Sequence, residues 1–407
     1  MSLLSVADAL EQIRAQARAM PTEACDLADA DGRVLAEPVL ATADQPPFAA
    51  SAMDGYAVKA RDVRDHPATL KVVGEAAAGR GFRGTVGDGE AARIFTGAPI
   101  PNGADAIVIQ ENTLRDGDHV SVVEGQPDPG HVRPRANDFA AGQTLIAAGY
   151  LVNPRTLTLA AAAGHPSISV KRKPVVAIIA TGDELVMPGT TPGPDQIVCS
   201  NPFGIAALVS RAGGTPRVLG IARDTRDDLN RTFDAAADAD VVVTIGGASV
   251  GDHDLVAPVL ESRGVALAFW KIAMRPGKPL MFGTGGDQCV IGLPGNPVSS
   301  LVCTRLFVRA ALRQMLGQSP EPIANGQARL GADIGANGPR MHFMRAVEDV
   351  RHGEGGTTAE LARVTPVRSQ DSALLTPLAL ADVLIARPAD DPARAAGETV
   401  DILRIDF

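Results

Sequence analysis

Residues 175–315 carry the pattern that most constrains the fold, an alternation of short apolar runs with segments of helical apolar spacing. The runs VVAIIA, PRVLGIA, DVVVTIG, ALAFWK and CVIGL are typical of strands, and the stretches 202–212, 226–237, 254–262 and 297–315 favour helices. This alternation predicts a parallel sheet with crossover helices. Continuous apolar strands such as VVVTI also predict that both faces of the sheet are covered. We therefore expect a three-layer α/β domain.

The rest of the chain predicts further domains, because 407 residues exceed the size at which one hydrophobic core keeps growing. Residues 48–137 hold short β-rich runs between Gly-rich and Asp-rich turns, which predict a small β-rich module. It is inserted in a discontinuous first domain of residues 1–47 and 138–173, with expected helices at its amino terminus and at 153–163 and a strand at 33–40. The α/β domain should span residues 174–317. Residues 318–407 return to short strands and predict a β-barrel-like domain.

The net charge of -9 argues against a general affinity for nucleic acid or an anionic membrane. Any anionic ligand must therefore meet a locally basic pocket. No stretch approaches the roughly 18 apolar residues that a membrane span needs, and the first twenty residues lack the pattern of a signal peptide. The four cysteines are scattered without a CxxC pair, which fits buried thiols in a reducing compartment. We expect a cytoplasmic protein.

Gly-rich and polar segments follow the predicted strands, at the edge where an open α/β sheet binds its ligands. GGASVGDHD follows the third strand, and its glycines allow a ligand to approach the backbone closely. In GLPGNPVSS, Gly295 permits a tight turn, Asn296 can cap the next helix, and the helix amino terminus can face an anion. The alternative is that these segments are ordinary turns. The candidate ligand-binding residues here are Thr181, Gly182, Asp183, Gly246, Gly247, Ser249, Gly251, Pro294, Gly295, Asn296 and Pro297.

Charged residues also concentrate at these strand ends. Lys271, Arg275 and Lys278 stand between prolines and glycines in KIAMRPGKP, and such cations bind phosphate or another oxyanion. A solvated basic loop is the alternative. Carboxylates that converge beside a phosphate site commonly hold Mg²⁺. The carboxylates at or near the predicted strand ends are Asp183, Glu184, Asp224, Asp252 and Asp254.

SAMDGYA, residues 51–57, lies where the chain enters the β-rich module, and it is either a loop pressed against a ligand or a plain connector. The chain has no Walker A motif, no GxSxG, no HExxH and no GxGxxG after a strand. From the residues alone, the chain is a phosphate-binding, metal-assisted transferase or a ligand-binding protein.

Five ordered motifs, SAMDGYA, TGDEL, GGASVGDHD, KIAMRPGKP and GLPGNPVSS, resemble the molybdopterin molybdenumtransferase family of the MoeA type. The resemblance covers essentially the whole chain. It implies Mg²⁺-dependent insertion of molybdate into adenylylated molybdopterin, with release of AMP and the molybdenum cofactor. It also implies an elongated homodimer whose active site reaches the partner subunit, and contact with other proteins of cofactor biosynthesis.

Carried over position by position, the resemblance places Asp54 and Thr96 on the lid side of the cleft. It implies that Glu184, Asp224 and Asp254 lie at the metal and nucleotide, and that Lys271, Arg275 and Lys278 hold phosphate and molybdate. Arg345 and Ser372 match family positions in the last domain that face the same cleft. Arg275 stands where many members have Lys, which preserves the charge but excludes a neutral amine, because Arg stays protonated in proteins.

Two other functions remain open at this point. One is a non-catalytic scaffold that uses the same fold, as the related domain of gephyrin does. The other is molybdopterin adenylyltransferase, which shares the α/β domain. Intact Asp54, Glu184, Asp254 and Lys271 favour the enzyme over the scaffold, and the additional β domains disfavour the adenylyltransferase.

Overall fold

The computed structural model describes residues 3–247, 255–349 and 361–405. Its strands are β1 (Thr22–Asp26), β2 (Val39–Leu40), β3 (Ala50–Ser51), β4 (Gly55–Val58), β5 (Ala68–Ala76), β6 (Glu90–Ile94), β7 (Ala106–Ile109), β8 (Thr113–Asp116), β9 (His119–Val122), β10 (Val132–Arg133), β11 (Thr144–Ile146), β12 (Ser167–Lys171), β13 (Val175–Thr181), β14 (Leu185–Val186), β15 (Ile197–Val198), β16 (Thr215–Ala222), β17 (Val241–Ile245), β18 (Ala266–Lys271), β19 (Met274–Arg275), β20 (Pro279–Gly285), β21 (Gln288–Leu293), β22 (Gly326–Leu330), β23 (Met341–Glu348), β24 (Arg363–Pro366), β25 (Val383–Arg387) and β26 (Thr399–Arg404). Its α-helices are α1 (Val6–Gln16), α2 (Pro154–Ala162), α3 (Asn201–Arg211), α4 (Arg226–Asp234), α5 (Val256–Ser262), α6 (Pro297–Cys303), α7 (Arg309–Met315) and α8 (Leu375–Ala379), and a π-helical turn, Thr304–Val308, joins α6 to α7.

The central sheet has the order β16-β13-β17-β21-β20-β18. The first four strands are parallel, as the sequence pattern predicts. The prediction misses β20, a strand of composition PLMFGTG that runs antiparallel to both of its neighbours. Its Pro and Gly residues resemble a loop. Because β20 reverses direction, β18 points the same way as β21 and ends at the same edge of the sheet.

Helices cover both faces of this sheet, so the predicted three-layer α/β architecture is confirmed. Successive residues of β13 point to opposite faces of the sheet. Val176 and Ile178 pack with α3, α6 and α7, whereas Ala177 and Ile179 pack with α4 and α5. Helix α1 also joins the first of these cores through Leu10 and Ile13, although it precedes the first β segment of the chain. Its apolar face is therefore buried against the α/β layers.

Two β-rich regions precede the central sheet. A sheet of order β7-β4-β6-β5-β9-β8 forms the inserted module, with cores on its two sides. Strands β1, β2, β11 and β12 with α2 enclose a separate core that includes Leu35 and Phe139. The expected helix at 153–163 is confirmed, and Asn153 caps it. The strand expected at 33–40 is wrong for most of its length, because only Val39–Leu40 pairs as a strand. The exact domain boundaries stay predictions.

The carboxy-terminal strands close into a barrel in the order β23, β24, β22, β26 and β25, because β23 pairs with both β24 and β25. This confirms the barrel-like domain. Phe343, Leu384 and Leu403 continue the larger core of the α/β layers, so the barrel packs directly on them. The short strand β19, from the loop after β18, pairs in parallel with β23 and ties that loop to the barrel.

All four cysteines are free and buried, as expected. Burial raises the pKa of the Cys289 thiol to about 11. No helix in the described part of the chain is long and apolar enough to cross a membrane.

Candidate active site

The carboxyl edge of the central sheet opens into a cavity of about 650 Å³. Strands β13, β17 and β21 all end at it, and β20 starts from it at Pro279. Ligands of open α/β sheets bind at this edge. The predicted site residues on its wall are Thr181, Glu184, Gly246, Pro294, Gly295, Asn296 and Pro297.

The turns that follow β17 and β21 lie against each other at Gly246 and Gly295. Gly246 donates its N–H to the carbonyl of Leu293 at 3.1 Å, and it has a φ of 91°, which an L side chain rarely adopts. A Cβ added to Gly246 would lie 2.8 Å from the carbonyl oxygen of Thr181. At Gly295 an added Cβ would meet only Gly246 Cα, at 3.8 Å. The glycines therefore leave exposed backbone at the floor of the cavity.

Gly182 joins the exits of β13 and β16. Its φ is 146°, its N–H donates to the carbonyl of Ala222 at 3.2 Å, and the carboxylate of Glu184 occupies the position that its Cβ would need. The Asp183 carboxylate accepts the backbone N–H of Asp224 at 3.3 Å. Acidic side chains from two strand ends are thereby gathered beside the cavity.

Asp224 is affected by the two neighbouring carboxylates. The pKa of the Asp224 carboxyl is raised above its ordinary value, first by desolvation and then by the negative charges of Asp183 and Glu184. Within the described residues, no group of three or more carboxylate, His or Cys side chains is arranged to hold a metal ion. Asp254, the third predicted ligand, lies outside the described residues, as do Ser249 and Gly251.

The predicted cap at Asn296 is wrong in its side-chain contact. Asn296 holds the N-cap position of α6, but its side chain makes no capping bond and donates instead to the Ser372 hydroxyl at 2.9 Å. The backbone N–H of Val298 donates to the Ser372 carbonyl at 3.1 Å, so this amide is not available to an anion. The reason is tertiary, since the segment after β24 packs on the start of α6. Ser372 is thereby placed next to the cavity.

Arg345, predicted to face the cleft, is not among the residues of the described cavity wall. It is 1% exposed, and its guanidinium donates to the carbonyls of Leu374, Ser369 and Asp371 at 2.9 to 3.1 Å. Burial lowers the pKa of this guanidinium, although the nearby Asp371 charge opposes the shift. These hydrogen bonds hold the 369–374 loop, and this loop places Ser372 against Asn296.

KIAMRPGKP connects β18 to β20 at the same edge of the sheet. Arg275 and Lys278 are exposed and Lys271 is half-buried, and none of the three has an acidic partner among the described residues. Arg275 pairs through its backbone with His342, a buried residue whose pKa is lowered to about 4 by burial and then by the Arg275 charge. The imidazole is therefore neutral near pH 7, and it does not compete with the cations for an anion.

Asp54 and Thr96 lie together in the β-rich module, and neither belongs to the cavity wall. One carboxylate oxygen of Asp54 accepts the Thr96 backbone N–H at 2.7 Å and the Thr96 hydroxyl at 2.8 Å. These bonds, in that order, and then the Arg93 charge lower the pKa of the Asp54 carboxyl. The other carboxylate oxygen accepts no hydrogen bond from a described residue.

Sequence reasoning missed part of the cavity wall. Ile197 and Val198 form β15, which pairs with β14, and Cys199 and Asn201 follow them along the wall. The SNP sequence at 200–202 is typical of a helix start, and this signal predicts where α3 begins. Nothing in the chain order predicts that the start of α3 reaches the turn at Gly295.

Comparisons with known proteins agree with this architecture. The chain matches three family profiles: the MoeA N-terminal region (domain I and II) over residues 4–164, a probable molybdopterin binding domain over residues 177–314, and the MoeA C-terminal region (domain IV) over residues 327–405. A Bacillus subtilis (strain 168) protein named molybdopterin molybdenumtransferase is 35% identical, with coverage of 94% of this chain and 90% of that protein. A Nostoc protein of the same name is 42% identical over 74% of this chain and 72% of that protein.

A solved structure supports the same assignment over the whole length. The crystal structure of the molybdopterin biosynthesis MoeA protein from Pyrococcus horikoshii OT3 superposes with a TM-score of 0.81 at 29% identity, and covers 98% of this chain and 99% of that one. The motifs, the layered fold and these matches agree: the chain belongs to the MoeA family of molybdopterin molybdenumtransferases.

Proposed function

We propose that this protein inserts molybdate into adenylylated molybdopterin in a Mg²⁺-dependent reaction that releases AMP and the molybdenum cofactor. Family membership makes the chain a transferase of molybdenum cofactor biosynthesis. The observation that carries the finer proposal is the carboxyl edge of the central sheet. Glu184 lies on the wall of the large cavity there, and the KIAMRPGKP loop, whose three cations have no acidic partner among the described residues, leads directly into the wall residue Pro279.

The cations would hold the oxyanions. Lys278 directly precedes Pro279, which lies on the cavity wall, and Lys271 ends β18 at the same edge. Arg275 offers a two-pronged donor for phosphate or molybdate oxygens, and lysine offers a point charge. Gly246 and Gly295 let a phosphorylated ligand approach the backbone closely. Positioning and charge neutralisation can then promote the displacement without a side-chain nucleophile.

Asp224 and Glu184 would provide two carboxylate ligands for a magnesium ion. Desolvation, and then the charges of Asp183 and Glu184, raise the pKa of the Asp224 carboxyl, and a bound cation would offset both effects. Mg²⁺ is commonly held by one or two carboxylates together with substrate phosphates and water. Bound there, it would neutralise charge on the phosphoanhydride. Asp254 is proposed as a third ligand by family resemblance.

The lid residues suggest a homodimer. Asp54 and Thr96 lie in the β-rich module and are not part of the cavity wall, and one carboxylate oxygen of Asp54 accepts no hydrogen bond from a described residue. We propose that a second copy of the chain brings this carboxylate over the cavity. Other proteins of cofactor biosynthesis would then deliver the substrate or accept the product.

The test combines purified protein with adenylylated molybdopterin, molybdate and Mg²⁺. We expect release of AMP and formation of a cofactor that activates an apo-molybdoenzyme. Lys271→Met should lower the rate by at least tenfold, because a positioned cation is lost, whereas Lys71→Met, at an exposed site in the β-rich module, should not. Removal of Mg²⁺ with a chelator should stop AMP release.

Each negative result selects another function. ATP-dependent adenylylation of free molybdopterin, without use of molybdate, would make the chain an adenylyltransferase. Absence of both reactions in protein that binds molybdopterin would favour the scaffold.

A further inference from the structure

Asn201 opens helix α3 on the wall of the cavity, and its side chain reaches the Gly-rich turn after β21. Its amide Nδ2 donates to the carbonyl of Gly295 at 2.8 Å and to the hydroxyl of Ser300 at 3.1 Å. Asn201 is half-buried and Ser300 is fully buried. Both partners belong to the segment that forms the floor of the cavity and the start of α6.

These partners determine which way the amide points. A backbone carbonyl can only accept, so the Asn201 atom that faces Gly295 must be the nitrogen. The Ser300 hydroxyl gives its proton to the Asn296 carbonyl at 2.9 Å, so it can only accept from Asn201. The only hydrogen bond to Oδ1 among the described residues comes from the Ser200 hydroxyl at 3.5 Å, the outer limit of such a bond. The cavity wall therefore carries a hydrogen-bond acceptor of fixed orientation.

Apolar side chains line part of the cavity wall that also carries this acceptor, beside the polar Glu184, Ser200 and Asn296. Ile197 and Val198 are 59% and 43% exposed, and they line the cavity together with Leu185 and Pro202. An apolar wall beside one oriented acceptor suits a flat heterocycle that carries an N–H donor. A phosphate or molybdate oxyanion has no donor to offer when fully ionised, so it would gain nothing from this oxygen.

We propose that Asn201 Oδ1 accepts a hydrogen bond from an amino or ring N–H of the pterin, and so distinguishes the pterin end of the substrate from its phosphate end. This inference rests on the proposed function, since it assumes that the cavity holds a molybdopterin. Asn201 then orients the ring, while the cations of KIAMRPGKP hold the oxyanions.

The test compares two ligands on the full chain, a phosphate-free pterin (6-hydroxymethylpterin) and AMP, by titration calorimetry or fluorescence. Asn201→Ala should weaken pterin binding about tenfold, as expected for one lost hydrogen bond to an oriented acceptor. AMP binding should change by less than about twofold, because Asn201 faces the pterin. The matched control is Asn337→Ala, whose Nδ2 donates to the carbonyls of Arg340 and Pro388 at 2.9 and 2.6 Å in the barrel. This control should change neither affinity.

A second measurement needs no variant, so it stands even if Asn201→Ala fails to fold. Wild-type protein should bind a pterin whose donor nitrogens are methylated about tenfold more weakly than the parent pterin. Equal losses of pterin and AMP binding in Asn201→Ala would mean that Asn201 only ties α3 to the turn, and would overturn the proposal. Unchanged pterin binding, or no preference between the parent and methylated pterins, would also overturn it.

The two proposals fail separately. Wild-type protein that binds the parent pterin in an Asn201-dependent way but releases no AMP from adenylylated molybdopterin would refute the proposed function and leave this inference standing.

Discussion

At the scale of one residue, the pKa of the Asp54 carboxyl is determined by contacts with residues that lie far from it in the chain. SAMDGYA predicts either a loop pressed against a ligand or a plain connector, whereas the lowered pKa of Asp54 depends on Thr96, 42 residues further along the chain. Arg93 reinforces the arrangement, because its guanidinium donates to the carbonyl of Gly55 at 2.9 Å and lies 4.6 Å from the centre of the Phe95 ring. These contacts hold the loop in place and leave one carboxylate oxygen of Asp54 without a donor among the described residues.

Replacement of Thr96 by Val should raise the pKa of Asp54 towards its ordinary value of 3.8, because one of two donors to the carboxylate is lost. A carboxylate with a lowered pKa stabilises the fold above its ordinary pKa, and this contribution is lost as the pH falls through the lowered pKa. The two proteins should therefore differ more in stability at pH 7 than in strong acid. Carboxyl carbon NMR titration measures the midpoint.

Thr69→Val provides the control for this titration, because Thr69 lies in the same module and, among the described residues, its hydroxyl bonds only to that of Ser121, at 3.0 Å. An unchanged Asp54 midpoint in Thr96→Val would contradict the assignment of the shift to the hydroxyl.

At the scale of the element, the glycines that follow the strands differ in backbone conformation. Gly246 and Gly295 both lie on the cavity wall, but only Gly246 has a positive φ and a backbone atom in the way of a Cβ. The sequence presents both as members of Gly-rich loops. Because their backbone conformations differ, Gly246 is required for the turn itself, whereas Gly295 leaves space at the cavity wall.

Gly246→Ala should therefore lower the free energy of unfolding by about 1 to 3 kcal/mol, through backbone strain and the 2.8 Å approach to Thr181. Gly295→Ala should change it by less than about 1 kcal/mol, because its Cβ has room. Urea unfolding measures both variants. Equal destabilisation by the two substitutions would show that the contact between the exits differs from the one described.

Arg345 offers a second prediction for an element, the 369–374 loop. Arg345→Met should leave three carbonyls without their donor, which costs about 3 kcal/mol, and should speed hydrogen exchange at the Val298 amide, which bonds to Ser372. Arg340→Met, beside the same strand but with its side chain half-buried, is the control for exchange. Loss of activity in Arg345→Met with unchanged exchange would instead favour a direct role at the ligand.

At the scale of the whole molecule, ion pairs attach the segments before and after the α/β layers to those layers. Arg172, in the link between β12 and β13, forms a two-pronged pair with Asp240 at 3.0 and 2.7 Å, and Asp240 also accepts the N–H of Val175 at 2.7 Å. After α7, Glu321 accepts from Arg305 at 3.0 Å and Arg309 at 2.6 Å. Both connections to the α/β layers are therefore held by arginine and carboxylate.

Asp240→Asn should loosen the first connection and lower stability by about 1.5 to 3 kcal/mol, since it weakens charged hydrogen bonds to Arg172. Hydrogen exchange at the Val175 amide should rise as well. The matched control is Asp238→Asn, which removes a similar two-pronged pair with Arg217, at 2.9 and 2.6 Å, from an exposed position. We expect a change below about 1 kcal/mol there. Equal losses of stability in Asp240→Asn and Asp238→Asn would mean that the pair with Arg172 constrains its link no more than an exposed ion pair does.

The sequence by itself determined the layered α/β fold, the confirmed helix at 153–163 and the family, because these follow from local periodicity and ordered motifs. It did not predict β20, whose Pro and Gly resemble a loop, or the side-chain partner of Asn296. Only the tertiary structure decided that Arg345 holds the 369–374 loop and that the Asn201 amide nitrogen bonds to the turn at Gly295, since both depend on contacts between residues far apart in the chain. The roles of Lys271, Asp224 and Asp54 stay predictions, because a fold places charges but does not by itself identify the ligand they hold.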